Sequence, residues 1–199
     1  MKRDTLVEVL VFVGLLVAGA GARIVLHDLP NFAPVAAISL FAGYYFRSWC
    51  LAALVAPAIM AISDLKLGGY EWQMMLLVYA MLTLPVAARP LVRRFLAIER
   101  GQIAISAARL AGLVGCSLFA SVLFFLSTNF AWWPWTDMYS HDLTGLIECY
   151  AAGVPFFRYT LAGDLFFAAL LFGGYATAVQ LGISPSRCVA HSAAQASVA

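Results

Sequence analysis

The sequence predicts an all-α membrane protein: a bundle of about six transmembrane helices, with a short amphipathic outer helix between the fifth and the sixth. Of its 199 residues, 63% are hydrophobic and only 11% are charged, whereas soluble domains carry about 25% charged residues. The mean hydropathy is +0.89, and apolar runs of roughly bilayer-spanning length recur along the chain. We therefore expect a single transmembrane domain over residues 1–181 and a disordered cytoplasmic tail over 182–199.

The first helix is expected over residues 6–26. Lys2 and Arg3 precede it, so the positive-inside rule places the N-terminus in the cytoplasm. The alternative is a cleaved signal peptide, because small residues at 18–20 resemble a cleavage site. The apolar run continues beyond that site, which favours a retained helix.

The second and third spans are expected over residues 33–46 and 49–62. Each apolar stretch is short for a crossing, so a re-entrant pair is the alternative. Two crossings are favoured because Arg47, which lies between the stretches, can extend its charge to the interface. The fourth, fifth and sixth spans follow at residues 74–88, 103–126 and 161–181.

The distribution of Lys and Arg supports this topology, because basic residues collect on the cytoplasmic side. With the N-terminus inside, nine of the twelve basic residues lie there, including those of the basic loop 89–100. Arg23, Lys66 and Arg158 remain near the outer face. Both termini are therefore expected in the cytoplasm.

The longest outer segment, residues 127–160, is the first candidate for a site. Its three tryptophans can form an ordinary interfacial belt or an aromatic lid over a pocket. Asp142 is a plausible helix N-cap, and apolar residues recur at helical spacing after it. This pattern predicts a short amphipathic helix on the membrane surface, ended by Gly153 and Pro155.

Asp164 is the most informative single residue. If the sixth helix starts near Pro155, the carboxyl of Asp164 lies about 13 Å along it, inside the hydrocarbon region. An acid at that depth should face the bundle interior, with a partner from another helix such as Arg23. A structural ion pair and a substrate contact explain it equally well.

These positions together predict a substrate-binding site near the outer face. In the loop before the second helix, Asn31 either points into the site or caps that helix, and capping is favoured. His27 and His141 can bind a metal with neighbouring acids, but no close ligand spacing supports a metal site. The candidate substrate-binding residues are Asn31, Asp64, Asn129, Trp133, His141, Arg158 and Asp164.

Small residues recur at every fourth position in two predicted spans. Such stripes let helices approach closely, either within the bundle or against a partner subunit. They comprise Gly14, Ala18 and Ala22 in the first span, and Ala108, Gly112, Cys116 and Ala120 in the fifth.

Enzymatic chemistry has the least support. The four cysteines are scattered without a CxxC pair, so we interpret them as free thiols. No HExxH or GxSxG motif occurs. We therefore expect no catalytic residue, no metal and no cofactor, and nothing in the charge pattern suggests nucleic acid.

A set of short motifs lies between residues 23 and 175: Pro30-Asn31-Phe32-Ala33-Pro34-Val35, Ser63-Asp64, Ser127-Thr128-Asn129-Phe130, Gly145-Leu146, Cys149-Tyr150, Pro155-Phe156-Phe157-Arg158 and Gly163-Asp164-Leu165. Together they resemble an uncharacterised family of small bacterial multi-pass membrane proteins, a domain of unknown function. The resemblance implies the bacterial cytoplasmic (inner) membrane as the location.

More distantly, the six-helix plan is similar to the S components of energy-coupling-factor transporters. That likeness implies capture of a vitamin-like molecule or metal ion near the outer face, with docking of a coupling subunit on the first helix. No GxxxxGK[ST] loop occurs, so any ATPases would be separate chains.

Two functions therefore remain open besides the weakly supported intramembrane enzyme. The favoured one is a substrate-binding subunit for uptake of a small nutrient, with membrane lipid, the substrate and a possible coupling subunit as partners. The alternative is a non-catalytic membrane scaffold, whose helical plan resembles that of the cell-shape protein of the elongation machinery.

Overall fold

Helices make up all of the regular secondary structure in the described part of a computed structural model, residues 3–96, 98–101 and 107–184. The all-α prediction is confirmed. The helices are α1 (Arg3–Val25), α2 (Val35–Tyr45), α3 (Trp49–Leu67), α4 (Trp72–Thr83), α5 (Arg89–Phe95), α6 (Ala107–Trp135) and α7 (Leu143–Gln180), with a 3-10 turn (Leu84–Ala88) between α4 and α5.

Five helical segments of the described chain are long and apolar enough to cross a membrane, which is consistent with a multi-pass membrane protein. They coincide with the first, third, fourth, fifth and sixth predicted spans. The segments are Thr5–Val25, Trp49–Leu67, Trp72–Phe95, Leu110–Trp135 and Leu143–Gln180.

The second predicted span, residues 33–46, differs from the other five. Its helix α2 has 11 residues, about 16 Å at the usual rise per residue, which is shorter than the hydrocarbon core of a bilayer. All of its residues except Ala36 are buried. A sixth crossing is therefore not shown, and α2 is instead the central element around which the longer helices pack.

Aromatic side chains hold α2 in place. Phe41, Tyr44 and Tyr45 meet Phe172 and Tyr175 of α7 at ring-centroid distances of 5.3 to 5.9 Å. Most of these rings meet edge to face, an arrangement that adds to the stabilisation from burial.

The basic stretch at 89–100 is not simply a loop, because its first half is helix α5. Arg93 donates hydrogen bonds to the carbonyl oxygens of Tyr44 (2.7 Å) and Phe46 (2.8 Å), and Arg89 donates to the carbonyl of Arg47 (2.7 Å). The carbonyls of Tyr44 and Phe46 lie at the end of α2, where partners within the helix run out, and that of Arg47 lies just beyond it. The arginines therefore satisfy backbone groups that the apolar interior would otherwise leave unpaired.

The outer segment predicted over residues 127–160 is largely helical. Helix α6 continues to Trp135 and α7 already begins at Leu143, so only residues 136–142 connect them. The prediction of a separate short outer helix is wrong, because residues 143–180 form one helix with Pro155 inside it. Pro155 removes one helical hydrogen bond. Helix α7 nevertheless continues past it, because packing against α6 stabilises the helix.

Two further expectations fall wholly or partly outside the described residues. The tail predicted over 182–199 is described only to residue 184, where the chain leaves α7 through a turn at Gly182 (φ 72°). In the second small-residue stripe, the side chain of Ala108 is outside the described set. Gly112 of that stripe lies against Phe95, where a Cβ would come within 3.2 Å of the ring side chain, so at this position the small residue serves packing within the bundle.

Candidate functional site

A cavity of about 540 Å³ opens among α1, the loop before α2, α4, α6 and α7. Its volume lies within the usual range of small-molecule sites. Most of its wall is apolar and aromatic. The aromatic lining consists of Phe32, Tyr70, Phe124, Phe125, Trp132, Phe156 and Phe157, apart from the ring of His27, and the polar lining includes Arg23, Asn31, Thr128, Asn129, Thr160 and Asp164.

Arg23 forms one polar wall through a network that joins three helices. Its Nη1 donates to Ser63 Oγ and to the Oδ1 of Asp64, with which it forms an ion pair. Tyr79 of α4 donates its hydroxyl to the Oδ2 of Asp64 at 2.7 Å. Asp64 is 9% exposed and lies behind Arg23 rather than in the lining. The charge of Arg23 is thus balanced by a carboxylate from outside the cavity.

Asp164 forms a second polar wall from the middle of α7. It is 4% exposed, and within the described residues its one hydrogen bond comes from Ser121 Oγ at 2.6 Å. The same Ser121 hydroxyl also lies 3.0 Å from the carbonyl of Ser117, so its single hydrogen is shared between the two acceptors. Arg23, one of the partners considered from the sequence, pairs with Asp64 instead. Asp164 therefore lies on the cavity with only a neutral hydroxyl beside it.

Asn129 lies where α6 crosses α7. Its amide nitrogen donates to the carbonyl of Phe125 at 2.8 Å, which fixes the side chain against its own helix. Its Oδ1 approaches Gly153 so closely that a Cβ there would come within 2.5 Å of it. The glycine is therefore what lets α7 pass the Asn129 amide.

The loop between α1 and α2 closes a third side of the cavity. Asn31 adopts a positive φ of 60°, a conformation that asparagine tolerates better than most residues. The expectation that Asn31 caps the next helix is wrong, because Pro34 occupies the N-cap of α2 without a side-chain cap. Phe32 follows and packs against Phe167 at 5.6 Å, which anchors the loop to α7.

The structure brings together some of the predicted site residues and separates others. Asn31, Asn129 and Asp164 line the one cavity. Trp133, His141 and Arg158 do not line it. The indole of Trp133 donates to the carbonyl of Ser140 at 2.8 Å with its ring against His141, and Arg158 is exposed over the ring of Tyr159.

Two residues of the site were missed or given another role: Trp132, which lines the cavity, and Ser121, which donates a hydrogen bond to Asp164. Trp132 lines the cavity in place of Trp133, because a helix turns by about 100° per residue and only one of two neighbours can face inward. The sequence signal that could have identified Trp132 was the helical pattern of α6, which continues past residue 126 to Trp135. Ser121 was overlooked, since a serine in an apolar span carries no signal until its partner is known.

Outside the long helices, Asp142 fixes the start of α7. It accepts hydrogen bonds from the backbone nitrogen of Gly145 and from Ser140 Oγ, both at 2.8 Å. These hydrogen bonds hold the pKa of the Asp142 carboxyl below its ordinary value. Asp142 is the N-cap that the sequence predicted, although it lies in the connection and not on the cavity.

The two histidines considered as metal ligands lie in different places. Among the described residues, no group of three or more His, Cys, Asp or Glu side chains is placed to hold a metal ion. His27 lies at the cavity and forms a contact of 3.2 Å with Asp28, whereas His141 does not line it.

A protein-family model described as a family of unknown function (DUF6580) matches residues 3–185. No curated protein and no solved structure matches the chain.

Proposed function

Since the chain belongs to DUF6580, a family of unknown function, we propose from the cavity itself that the protein is a substrate-binding membrane subunit for uptake of a small nutrient. The observation that carries this proposal is that Arg23, Asn129 and Asp164, from three different helices, line one cavity of ligand size. Polar groups that converge in an otherwise apolar pocket are the usual mark of a small-molecule site. The aromatic lining favours an organic, vitamin-like molecule over a metal ion.

The charge distribution supports an outward-facing cavity. Arg89 and Arg93 contact the end of α2 beside Arg47, whereas the cavity lies at the other ends of α1 and α3, near Arg23 and Leu67. The basic end is cytoplasmic by the positive-inside rule. The protein would then lie in the bacterial inner membrane with both termini inside and the cavity open to the outer face.

Uptake requires an energy source that this chain does not supply, so the proposal includes a coupling subunit and ATPases as separate partners. The small-residue stripe on α1 supports a docking surface for the coupling subunit. Gly14 and Ala18 are exposed, and a Cβ at Gly14 would meet nothing within 4 Å. Close approach of another membrane helix is possible there.

The proposal is tested by native mass spectrometry of the detergent-purified protein from cells grown in rich medium. We expect a copurifying small molecule in the wild type, lost in Asp164→Asn and in Asn129→Leu. Asp137→Asn and Arg158→Gln, which change exposed residues away from the cavity, should retain it. An apo mass for the wild type, with no thermal shift across a panel of vitamins and amines, would refute capture.

The alternative is a non-catalytic membrane scaffold, and one observation favours it. Asp64 is satisfied by Arg23 and Tyr79, as expected of a structural polar network. A scaffold predicts copurification with a membrane complex that does not depend on Asp164 or Asn129. The same variants therefore distinguish the two functions.

A further inference from the structure

A second cavity of about 550 Å³ lies beside the first and is almost entirely apolar. It is a groove between α6 on one side and the end of α4, the 3-10 turn and α5 on the other. We call it the α5–α6 groove. Along α6 its lining runs from Gly112 to Phe124, about 18 Å at the usual helical rise.

The groove is continuous with the polar cavity. Met81, Ala120 and Phe124 line both. Ser121, the hydrogen-bond partner of Asp164, follows Ala120 directly in α6. The polar group at Asp164 therefore lies at the level where the apolar groove begins.

The two parts differ in what they can hold. The charge of Arg23 is balanced by Asp64. Asp164, by contrast, is an acidic group on the cavity that has no basic partner among the described residues. An ammonium or hydroxyl group supplies the hydrogen-bond donors that a carboxyl can accept. The groove offers only apolar contacts from residues such as Leu91, Phe95 and Phe119, which suit a hydrocarbon chain.

On the premise of the proposed function, we infer that the captured molecule is a single-chain amphiphile. Its amine head is held at Asp164, and its hydrocarbon tail lies in the α5–α6 groove. The shared lining residues are where the molecule passes from one part to the other. The exposed side chains of Leu91 and Phe119 mark the groove as open along the bundle surface, so a tail can enter sideways from the bilayer.

The test uses the full-length protein in lipid nanodiscs and dodecylamine that carries a photoreactive diazirine at the tail end. After illumination, mass spectrometry of peptides locates the adducts. We expect them on the groove residues Leu91, Phe95 and Phe119, and we expect excess unlabelled dodecylamine to compete them away.

Two variants and one matched control decide the result. Asp164→Asn removes the head contact, and Gly115→Phe fills the groove at an exposed glycine where an added Cβ meets nothing within 4 Å. Both should lower the groove adducts about tenfold, a loss equivalent to about two methylene groups of buried chain. Gly173→Phe, at an equally open and exposed glycine of α7, should leave them unchanged.

Adducts of equal yield in all four proteins would overturn the inference, because bulk lipid contact would then explain them. Propylamine binding, measured on the same samples, separates this failure from failure of capture. One outcome is that propylamine binds the wild type but not Asp164→Asn, while the yield of groove adducts is the same in all variants. That result would support capture at Asp164 and refute the tail site in the groove. If neither amine binds the wild type, the amine-headed amphiphile is refuted, and native mass spectrometry still decides whether anything is captured.

Discussion

At the scale of single residues, the two buried aspartates of the bundle differ in how they are paired. Asp64 is paired on both oxygens, by Arg23 and by Tyr79, and it ties α1, α3 and α4 together. Asp164 receives one neutral hydrogen bond in the described chain and lies on a cavity. Burying a charge is costly unless it is paired, so the first arrangement suits stability and the second suits a ligand.

The Arg23 network leads to a stability prediction. Arg23→Met leaves Asp64 buried without its ion-pair partner, and breaking a buried pair from one side costs about 3 to 5 kcal/mol. The double variant Arg23→Met with Asp64→Leu removes both charges and should be more stable than Arg23→Met alone. Unfolding in mixed detergent micelles measures both effects. A double variant that is less stable than either single variant would contradict this interpretation.

The helix crossing at Gly153 leads to a second prediction. Gly153→Ala places a Cβ 2.5 Å from Asn129 Oδ1 and 2.9 Å from the ring of Phe125. One side chain or the helix must move, and overpacking of this kind costs about 1 to 3 kcal/mol. We expect a lower thermal stability and weaker retention of any copurifying molecule. Gly174→Ala on the same helix, where a Cβ meets nothing within 4 Å, should change neither.

At the scale of helices and connections, local sequence patterns predicted that a helix exists better than they predicted where it begins and ends. The long apolar runs gave the five spanning segments directly, and Asp142 gave the start of α7. Helix α2 could not be judged from its 14-residue apolar stretch, because only its neighbours show that it is enclosed by protein rather than lipid. The prediction that the helix breaks at Gly153 and Pro155 failed for the same reason. Contacts with α6 outweigh the tendency of these two residues to end a helix.

Asp142 carries the element-scale prediction, which concerns pH. Its folded-state pKa is depressed by hydrogen bonds to the Gly145 amide and Ser140, so its stabilisation of α7 is fully present above the unfolded pKa, near 3.9. The contribution is lost as pH falls through the lower folded value. Asp142→Asn keeps an N-cap side chain without the titration. We therefore expect the wild type to lose more stability than Asp142→Asn between about pH 5 and pH 2, measured by thermal unfolding at each pH.

The same measurement contains its own control. Asp137→Asn removes an exposed acid from the same connection that is not a helix cap. Its stability should fall with pH in parallel with that of the wild type. Parallel curves for Asp142→Asn and the wild type would mean that the cap does not contribute through its charge.

At the scale of the whole molecule, the site depends on which distant segments meet, and that is the part the sequence could not supply. Asp164 was chosen from its expected depth in the membrane, Asn31 from the loop before α2, and Asn129 from the outer segment predicted between the fifth and sixth spans. All three line one cavity. Trp133 and His141 were chosen from the same outer segment as Asn129, and Arg158 from its place near the outer face, but none of the three lines the cavity. The depth of a residue in the membrane follows from its position along a helix. The direction in which its side chain points depends on where that helix begins and on which helices pack against it.

The last prediction concerns the orientation of the bundle. Cys50 is exposed near the start of α3, beside the Arg47 and Arg93 end that the positive-inside rule assigns to the cytoplasm. The connection between α6 and α7 lies at the cavity end, and its Asp137 is exposed. A membrane-impermeant maleimide should therefore label Asp137→Cys in intact bacterial cells and leave Cys50 unmodified. Cys50 should react only after the membrane is permeabilised, because the proposed orientation places its thiol inside the cell. Peptide mass spectrometry assigns each label, and modification of Cys50 in intact cells without modification at position 137 would reverse the topology and turn the cavity toward the cytoplasm.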